Sequence, residues 1–269
     1  DCPSGVDVSK MIIEARAQLA QKRGLARAAK VLANNRYMSL LASTFAPISN
    51  YLLSLQFVKA AMEITAGIDR RRSMPKFGFS SFIKKANKYL SSLPSIENPI
   101  DKVAYFTDIF VNYNDHELGF ALIKFLRANN IEVIIPPQRP APLPAAVYGD
   151  VKTSRNDLRF SVKHLSIAVR AGYKIICSEP SAALCLKEDL RFFDDSEDGK
   201  LVSENTFEFF EYLKTLKLPS SCDCGVETSY AHHTPCHLIA LEKKPATLEV
   251  IQKLTGIKVK ELNGGCCGI

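Results

Sequence analysis

At the carboxyl end of this sequence, Gly264-Gly265-Cys266-Cys267-Gly268 sets two cysteines side by side between glycines. Adjacent thiols strain a disulfide, but two neighbouring thiolates suit a metal cluster, and the glycines let backbone approach the sulfurs closely. Thirty residues earlier stands Pro235-Cys236-His237-Leu238. Cys236, Cys266 and Cys267 form the leading candidate site, a thiolate set for an iron-sulfur cluster. A cubane usually takes four thiolates. Three are therefore too few, and the sequence is expected to be a piece of a longer chain with further ligands after Ile269. The plainer alternative is that these are ordinary buried cysteines.

The other candidates carry weaker signals. Cys2-Pro3 has the cysteine-proline ending of a bacterial ferredoxin-type site, although the upstream cysteines of such a run are absent. Cys222, Cys224, His232, His233, Cys236 and His237 offer nitrogen and sulfur ligands for zinc, at a spacing that matches no standard pattern. In the cluster reading, His233 and His237 instead become hydrogen-bond donors beside the sulfurs. Cys177 and Cys185 flank a strand-to-helix turn and read as small buried hydrophobes. His116 and His164 fall within helical patterns and read as structural. The sequence contains no Gly-x-Gly-x-x-Gly loop, P-loop, zincin motif or nucleophile elbow, so no residue is assigned a catalytic role.

The elements that must position these residues change character near residue 100. Before it the pattern is helical: helices are expected over 8–23 (capped by Asp7, stopped by Gly24), 25–44, 48–66 (after Pro47, closed by Gly67) and about 82–90. After it, strands at 103–111, 131–135 and 173–177 alternate with helices at 116–127, 154–171 and from Ser181. A helix at 205–216, a strand at 226–231, a helix at 246–254 and a strand at 257–262 follow. This alternation predicts an α/β fold with a mainly parallel sheet. Ile109 stands to Pro140 as Cys236 stands to Cys266, 31 residues apart against 30. The spacing suggests an internal duplication, with the site in loops at the carboxyl ends of parallel strands. Two domains are expected, 1–100 and 101–269.

Composition bounds the setting. The sequence has 269 residues, 46% of them hydrophobic, enough for a substantial core. All of its eight cysteines except Cys2 lie beyond residue 176, in close pairs that favour ligands and buried thiols in a reducing compartment over a disulfide set. No signal peptide is expected at the amino end, and the most apolar stretch, 37–62, is broken by Pro47, Asn50, Gln56 and Lys59. The expected location is cytoplasmic. The formal charge of +7 is uneven: residues 1–100 hold 15 basic and 6 acidic side chains, the rest 20 and 22. Arg70, Arg71, Arg72, Lys76, Lys84, Lys85 and Lys88 make a basic stretch, read first as a solvated helical face and otherwise as a face for an acidic protein or anionic lipid. No nucleic-acid motif accompanies it.

Phe110-Val111-Asn112-Tyr113, Tyr148-Gly149-Asp150, Pro235-Cys236-His237-Leu238 and Gly265-Cys266-Cys267-Gly268 together resemble the cysteine-rich CCG domain. That domain is shared by the iron-sulfur component of glycolate oxidase, the C subunit of anaerobic glycerol-3-phosphate dehydrogenase and the B subunit of heterodisulfide reductase. The likeness covers about residues 101–269. Cys2-Pro3 and the helices after it resemble the end of the ferredoxin domain that precedes it in those proteins. The segment Cys177 to Leu186 looks most like bacterial fusions of an FAD-linked oxidase domain with such a region.

The resemblance implies a duplicated α/β unit and a [4Fe-4S] cluster held by Cys236, Cys266 and Cys267, with Cys2 serving a separate cluster. It places FAD in another domain or a flavoprotein partner. It also implies an electron acceptor such as a quinone, and contact with the inner face of the cell membrane that is at most peripheral. The first half departs from the pattern: Ile109 replaces the lone cysteine, Pro140 and Ala141 the pair, Pro142 the glycine, and Ala182 a later cysteine. That half is expected to bind no cluster. A cluster-free docking domain and a zinc-stabilised module are the alternative readings.

Overall fold

A computed structural model of the protein describes residues 8–216, 230–242 and 245–262. Asp7, Cys2, Cys222, Cys224, Cys266 and Cys267 lie outside the described residues. By internal packing the chain divides into two units: unit 1 runs to Pro94 and adds Asp108–Ile123 and Pro137–Lys163, and unit 2 comprises Ser95–Thr107, Lys124–Pro136 and the chain from His164 onward.

Six helices come first: α1 (Val8–Arg23), α2 (Arg27–Ala33), α3 (Asn35–Thr44), α4 (Ala46–Ser54), α5 (Gln56–Ala66) and α6 (Phe82–Ser92). Gly24 and Gly67 stop α1 and α5 with φ of +74° and +69°, the left-handed conformation that glycine adopts without steric cost. Two expected long helices are each divided. The 25–44 segment breaks at Asn34, whose side-chain amide donates to the Lys30 carbonyl (2.8 Å) and competes with the helical ladder. The 48–66 segment breaks at Leu55, which is extended, and Pro47 sits in the first turn of α4, where its missing N–H is not needed.

Side chains of this bundle hold the segment that follows it. Asn50 pairs with the Phe77 backbone in both directions (2.8 and 2.9 Å), and the buried Ser43 hydroxyl lies 2.6 and 2.8 Å from the Gly78 and Ser80 carbonyls. These bonds satisfy backbone groups of a segment that has no secondary structure of its own.

The remaining elements alternate. In chain order they are β1 (Asp101–Phe106), α7 (Ile109–Tyr113), α8 (His116–Ala128), β2 (Ile131–Ile134), α9 (Leu143–Val147), α10 (Val151–Arg170), β3 (Lys174–Cys177) and α11 (Pro180–Leu184). A π-helical turn, Cys185–Asp189, leads to α12 (Leu190–Phe193), α13 (Glu197–Glu204), β4 (Thr206–Glu208) and α14 (Phe209–Thr215). Last come β5 (Tyr230–His233), α15 (Cys236–Leu241), α16 (Thr247–Thr255) and β6 (Val259–Leu262). In unit 2 the strands form a four-stranded sheet of order β2-β1-β3-β4 and a two-stranded sheet β5-β6, with every described pairing parallel. The α/β expectation is thereby met.

Several boundaries differ from expectation. The strand expected over 103–111 ends at Phe106, and Ile109 opens a helix instead of closing a strand. Residues 206–208, expected as helix, pair with β3, because Glu208 caps α14 through a reciprocal box with Glu211 and so fixes where the helix can begin. The β5 strand falls at 230–233, with 226–229 outside the described residues. Val103, Ala104, Tyr105 and Phe106 are wholly buried, so β1 reads as a continuous apolar run, as a strand covered on both faces must.

One close approach in unit 1 depends on a missing side chain. A Cβ on Gly119 of α8 would fall 2.5 Å from the Phe82 ring and 2.8 Å from Val111, both fully buried. Gly119→Val is expected to cost about 1–3 kcal/mol through overpacking. Urea unfolding checks this, and unchanged stability would mean that the Phe82 ring has room to move.

Candidate functional site

The parallel pairings bring strand ends together at the two places the sequence singles out. In the first repeat Asp101 stands opposite Ile131, an offset of 30, and in the second Tyr230 stands opposite Val259, an offset of 29. In both, the lone position and the paired position are one residue further apart than the strands' offset: 31 for Ile109 to Pro140 and 30 for Cys236 to Cys266. Both lone positions are also the first residue of a short helix, Ile109 in α7 and Cys236 in α15. Offsets that differ by one residue and helices that start at the lone position are features the two segments share.

In the second repeat β5 and β6 run side by side as far as His233 and Leu262, so their carboxyl ends are neighbours. Cys236 lies three residues after His233 and is exposed. Cys266 and Cys267 follow Leu262 but lie outside the described residues. The Thr234 hydroxyl donates to Glu261 (3.0 Å), a side-chain tie between the end of β5 and β6. His237 is half-buried beside Cys236, its Nδ1 2.6 Å from the Ser181 hydroxyl of α11, and desolvation lowers its pKa below the ordinary imidazole value. His233 Nε2 is buried without a hydrogen-bond partner among the described residues. A buried ring nitrogen of this kind is costly unless it has a partner. The donor set at this end is therefore one accessible thiol and two imidazoles, of which the His237 ring is fixed by a hydroxyl. Its chemistry, an open sulfur with nitrogen donors beside it, fits the margin of a thiolate cluster.

The first repeat is built differently. Here the turns after β1 and β2 are tied by a hydrogen bond: the Ala141 N–H donates to Asp108 Oδ1 at 3.0 Å. Pro140, Ala141 and Pro142 are buried, Ile109 is half-buried, and the position of the later cysteine, Ala182, is wholly buried. The residues present offer no sulfur to a cluster. Cys177 and Cys185 are buried (0% and 1% exposed), as small apolar side chains would be.

Of the zinc grouping, Cys222 and Cys224 lie outside the described residues. Among the described residues no three His, Cys, Asp or Glu side chains lie close enough together to hold a metal ion. His232 Nδ1 instead lies 3.4 Å from the Thr234 hydroxyl. His116 has structural contacts, to Lys85 Nζ (3.4 Å), to the Asn112 carbonyl (3.2 Å) and to the Phe82 ring.

Sequence reasoning missed Asp108, Ser181 and Glu208. An aspartate next to the vacated lone position was a signal for the first, and Glu208-x-x-Glu211 is a legible capping box for the last; nothing local marks Ser181. Glu208 is 2% exposed, and desolvation, with Glu242 and Glu211 nearby, pushes its carboxyl up to about 7 despite the N–H groups of Phe210 and Glu211 that it accepts.

No family model matches the chain. It is 28% identical over 275 residues to the C subunit of anaerobic glycerol-3-phosphate dehydrogenase from Escherichia coli K12, a match that covers 99% of this chain and 67% of that protein. Its counterpart from Escherichia coli O157:H7 matches equally. An uncharacterised iron-sulfur protein of Methanococcus maripaludis is 25% identical over 209 residues, 75% of this chain and 38% of that protein. These relatives accord with the CCG-type resemblance of the cysteine motifs.

Two substitutions test this geometry. Asp108→Ala leaves the Ala141 N–H without its acceptor and is expected to cost about 1–3 kcal/mol, with Asp108→Asn restoring most of it; equal stability of all three proteins in urea would show that the bond is dispensable. The raised Glu208 carboxyl contributes stability in full below its ordinary value of 4.5, and loses it as pH rises through about 7. Glu208→Gln should therefore flatten the fall in melting temperature across that window, and an unaltered pH profile would contradict the assignment.

Proposed function

We propose that this chain is the iron-sulfur electron-transfer region of an FAD-linked oxidoreductase of the glycerol-3-phosphate or hydroxy-acid dehydrogenase type. The observation that most supports this reading is the parallel β5–β6 pairing, which ends at His233 and Leu262, three residues before Cys236 and four before Cys266 in the sequence. The relatives' names, a dehydrogenase subunit and an iron-sulfur protein, point the same way.

In this reading Cys236, Cys266 and Cys267, with a ligand from further chain, hold a [4Fe-4S] cluster, and Cys2 belongs to a ferredoxin-type cluster. Such a cluster supplies one-electron transfer, with a potential set by sulfur hydrogen bonding and solvent access. This chain's residues do the positioning. The short α15 fixes the direction of Cys236, Ser181 holds the His237 ring, and His233 offers a buried nitrogen to the same neighbourhood. FAD and the substrate are placed in a partner domain or subunit, and a quinone is the expected acceptor. Among the described residues no helix is long and apolar enough to cross a membrane, and any membrane contact is proposed to be peripheral, in a cytoplasmic setting.

The first repeat favours a second, narrower reading in which it serves as a docking scaffold. The Asp108–Ala141 bond and the buried Pro140-Ala141-Pro142 stand where ligands would otherwise be.

The test is iron and acid-labile sulfide on anaerobically prepared protein. Cys236→Ser and Cys266→Ser should each lose iron, and unchanged iron in both would defeat the cluster assignment. Iron-free protein that still retains its flavoprotein would favour the scaffold reading for the whole chain. Stoichiometric zinc that disappears in Cys222→Ser would favour the zinc-stabilised module.

A further inference from the structure

Unit 1 contains a pocket of about 190 Å³ whose walls include Arg36, Tyr37 and Leu40 of α3, Tyr113 of α7, and Arg139 and Pro140 from the turn after β2. A single water needs only ~10–15 Å³ of such space, so a ligand of several atoms fits. None of the lining side chains is acidic. The two guanidinium groups share one carboxylate, Asp157, 2.9 Å from Arg139 and 3.5 Å from Arg36. Asp157 is nearly buried, while Arg36 and Arg139 keep 20% and 33% of their side chains exposed. One carboxylate between two guanidiniums leaves a net positive charge in a partly desolvated place, where an unbalanced charge is expensive and a second anion is strongly favoured.

The donors are also held ready. Arg36 Nη2 donates to the Tyr37 hydroxyl (2.6 Å), its guanidinium lies 4.4 Å from that ring's centre, and its buried Nε has no hydrogen-bond partner among the described residues. Arg139 is anchored at its backbone by Ser161 (2.9 and 3.0 Å), and its guanidinium packs 4.5 Å from the Phe160 ring centre. Tyr113 is 5% exposed, and burial raises its pKa, so its hydroxyl keeps its proton. Leu40 and Pro140 supply an apolar wall.

We propose that this pocket binds a small oxyanion, the carboxylate or phosphate of a metabolite-sized ligand, between Arg36 and Arg139, with the Tyr113 hydroxyl as a further donor. Planar guanidinium forks match both oxyanions in bidentate fashion. Pro140 occupies a position that the CCG resemblance assigns to a cluster cysteine, so the repeat without thiols carries a ligand site of another kind. The proposal stands independently of the cluster reading, because no cysteine takes part in it.

Isothermal titration of the full chain at constant ionic strength tests it, with inorganic phosphate and lactate as separate probes. Saturable one-to-one binding of at least one probe is expected, and the preferred probe tells a phosphate ligand from a carboxylic acid. Arg36→Gln and Arg139→Gln should each weaken binding at least tenfold, and the exposed Arg72→Gln should leave it unchanged. Asp157→Asn should tighten binding, because it removes the competing carboxylate; a merely structural ion pair predicts no such gain. Tyr113→Phe leaves the ion pairs in place and should weaken binding several-fold even if the arginine variants fail to fold. Absence of saturable binding by either probe, or binding indifferent to every pocket substitution that folds, overturns the proposal.

Discussion

Parallel pairing of strands at a set offset is the constraint from which the candidate site follows. A parallel ladder needs a crossover between its strands, and it leaves both carboxyl ends on one edge, where the chain must turn back. In this protein the offset is 30 residues in one repeat and 29 in the other, and the residues of chemical interest lie just past the strand ends in each. Slipping either pairing by one residue would turn each strand's side chains to the opposite face and misplace the turn that follows. The neighbouring carboxyl ends of β5 and β6, like those of β1 and β2, are thus a consequence of backbone hydrogen bonding, whatever side chains follow them.

The two repeats use that geometry in different ways. In the second, an exposed thiol and two imidazoles stand at the strand end, with Ser181 hydrogen-bonded to His237 and Glu261 accepting from the Thr234 hydroxyl. In the first, a carboxylate–amide hydrogen bond joins the two turns, and proline and alanine fill the space that thiolates would take. A bond from one buried N–H to a carboxylate is weak beside metal ligation, yet it leaves no polar group stranded. That repeat therefore keeps its fold without the demands of a redox centre.

Buried charge is handled by sharing. Asp101 accepts from both Lys174 and Tyr212, and Asp157 faces both Arg36 and Arg139. The first arrangement balances one cation with one anion, whereas the second leaves a cation in excess. This difference separates a structural ion pair in unit 2 from a pocket in unit 1 with affinity for an anion.

The sequence by itself determined the class of the fold, because alternating apolar strands and amphipathic helices admit few arrangements other than parallel pairing. It also located the helix stops at Gly24 and Gly67, since only glycine reaches their positive φ cheaply. The thiol positions and the loss of thiols in the first repeat were legible because residue type alone carries that information. Other features depended on partners distant in sequence. The strand ended at Phe106, five residues short of its apolar run, because Asp108 finds its acceptor role with Ala141, 33 residues away. The segment at 206–208 became a strand because β3 offered it an edge, which outweighed local helical periodicity. The Ser181–His237 contact and the Arg36–Asp157–Arg139 grouping have no local signature at all. They exist because tertiary packing brings those atoms within hydrogen-bonding range, and a distance in space is not encoded by any single stretch of chain.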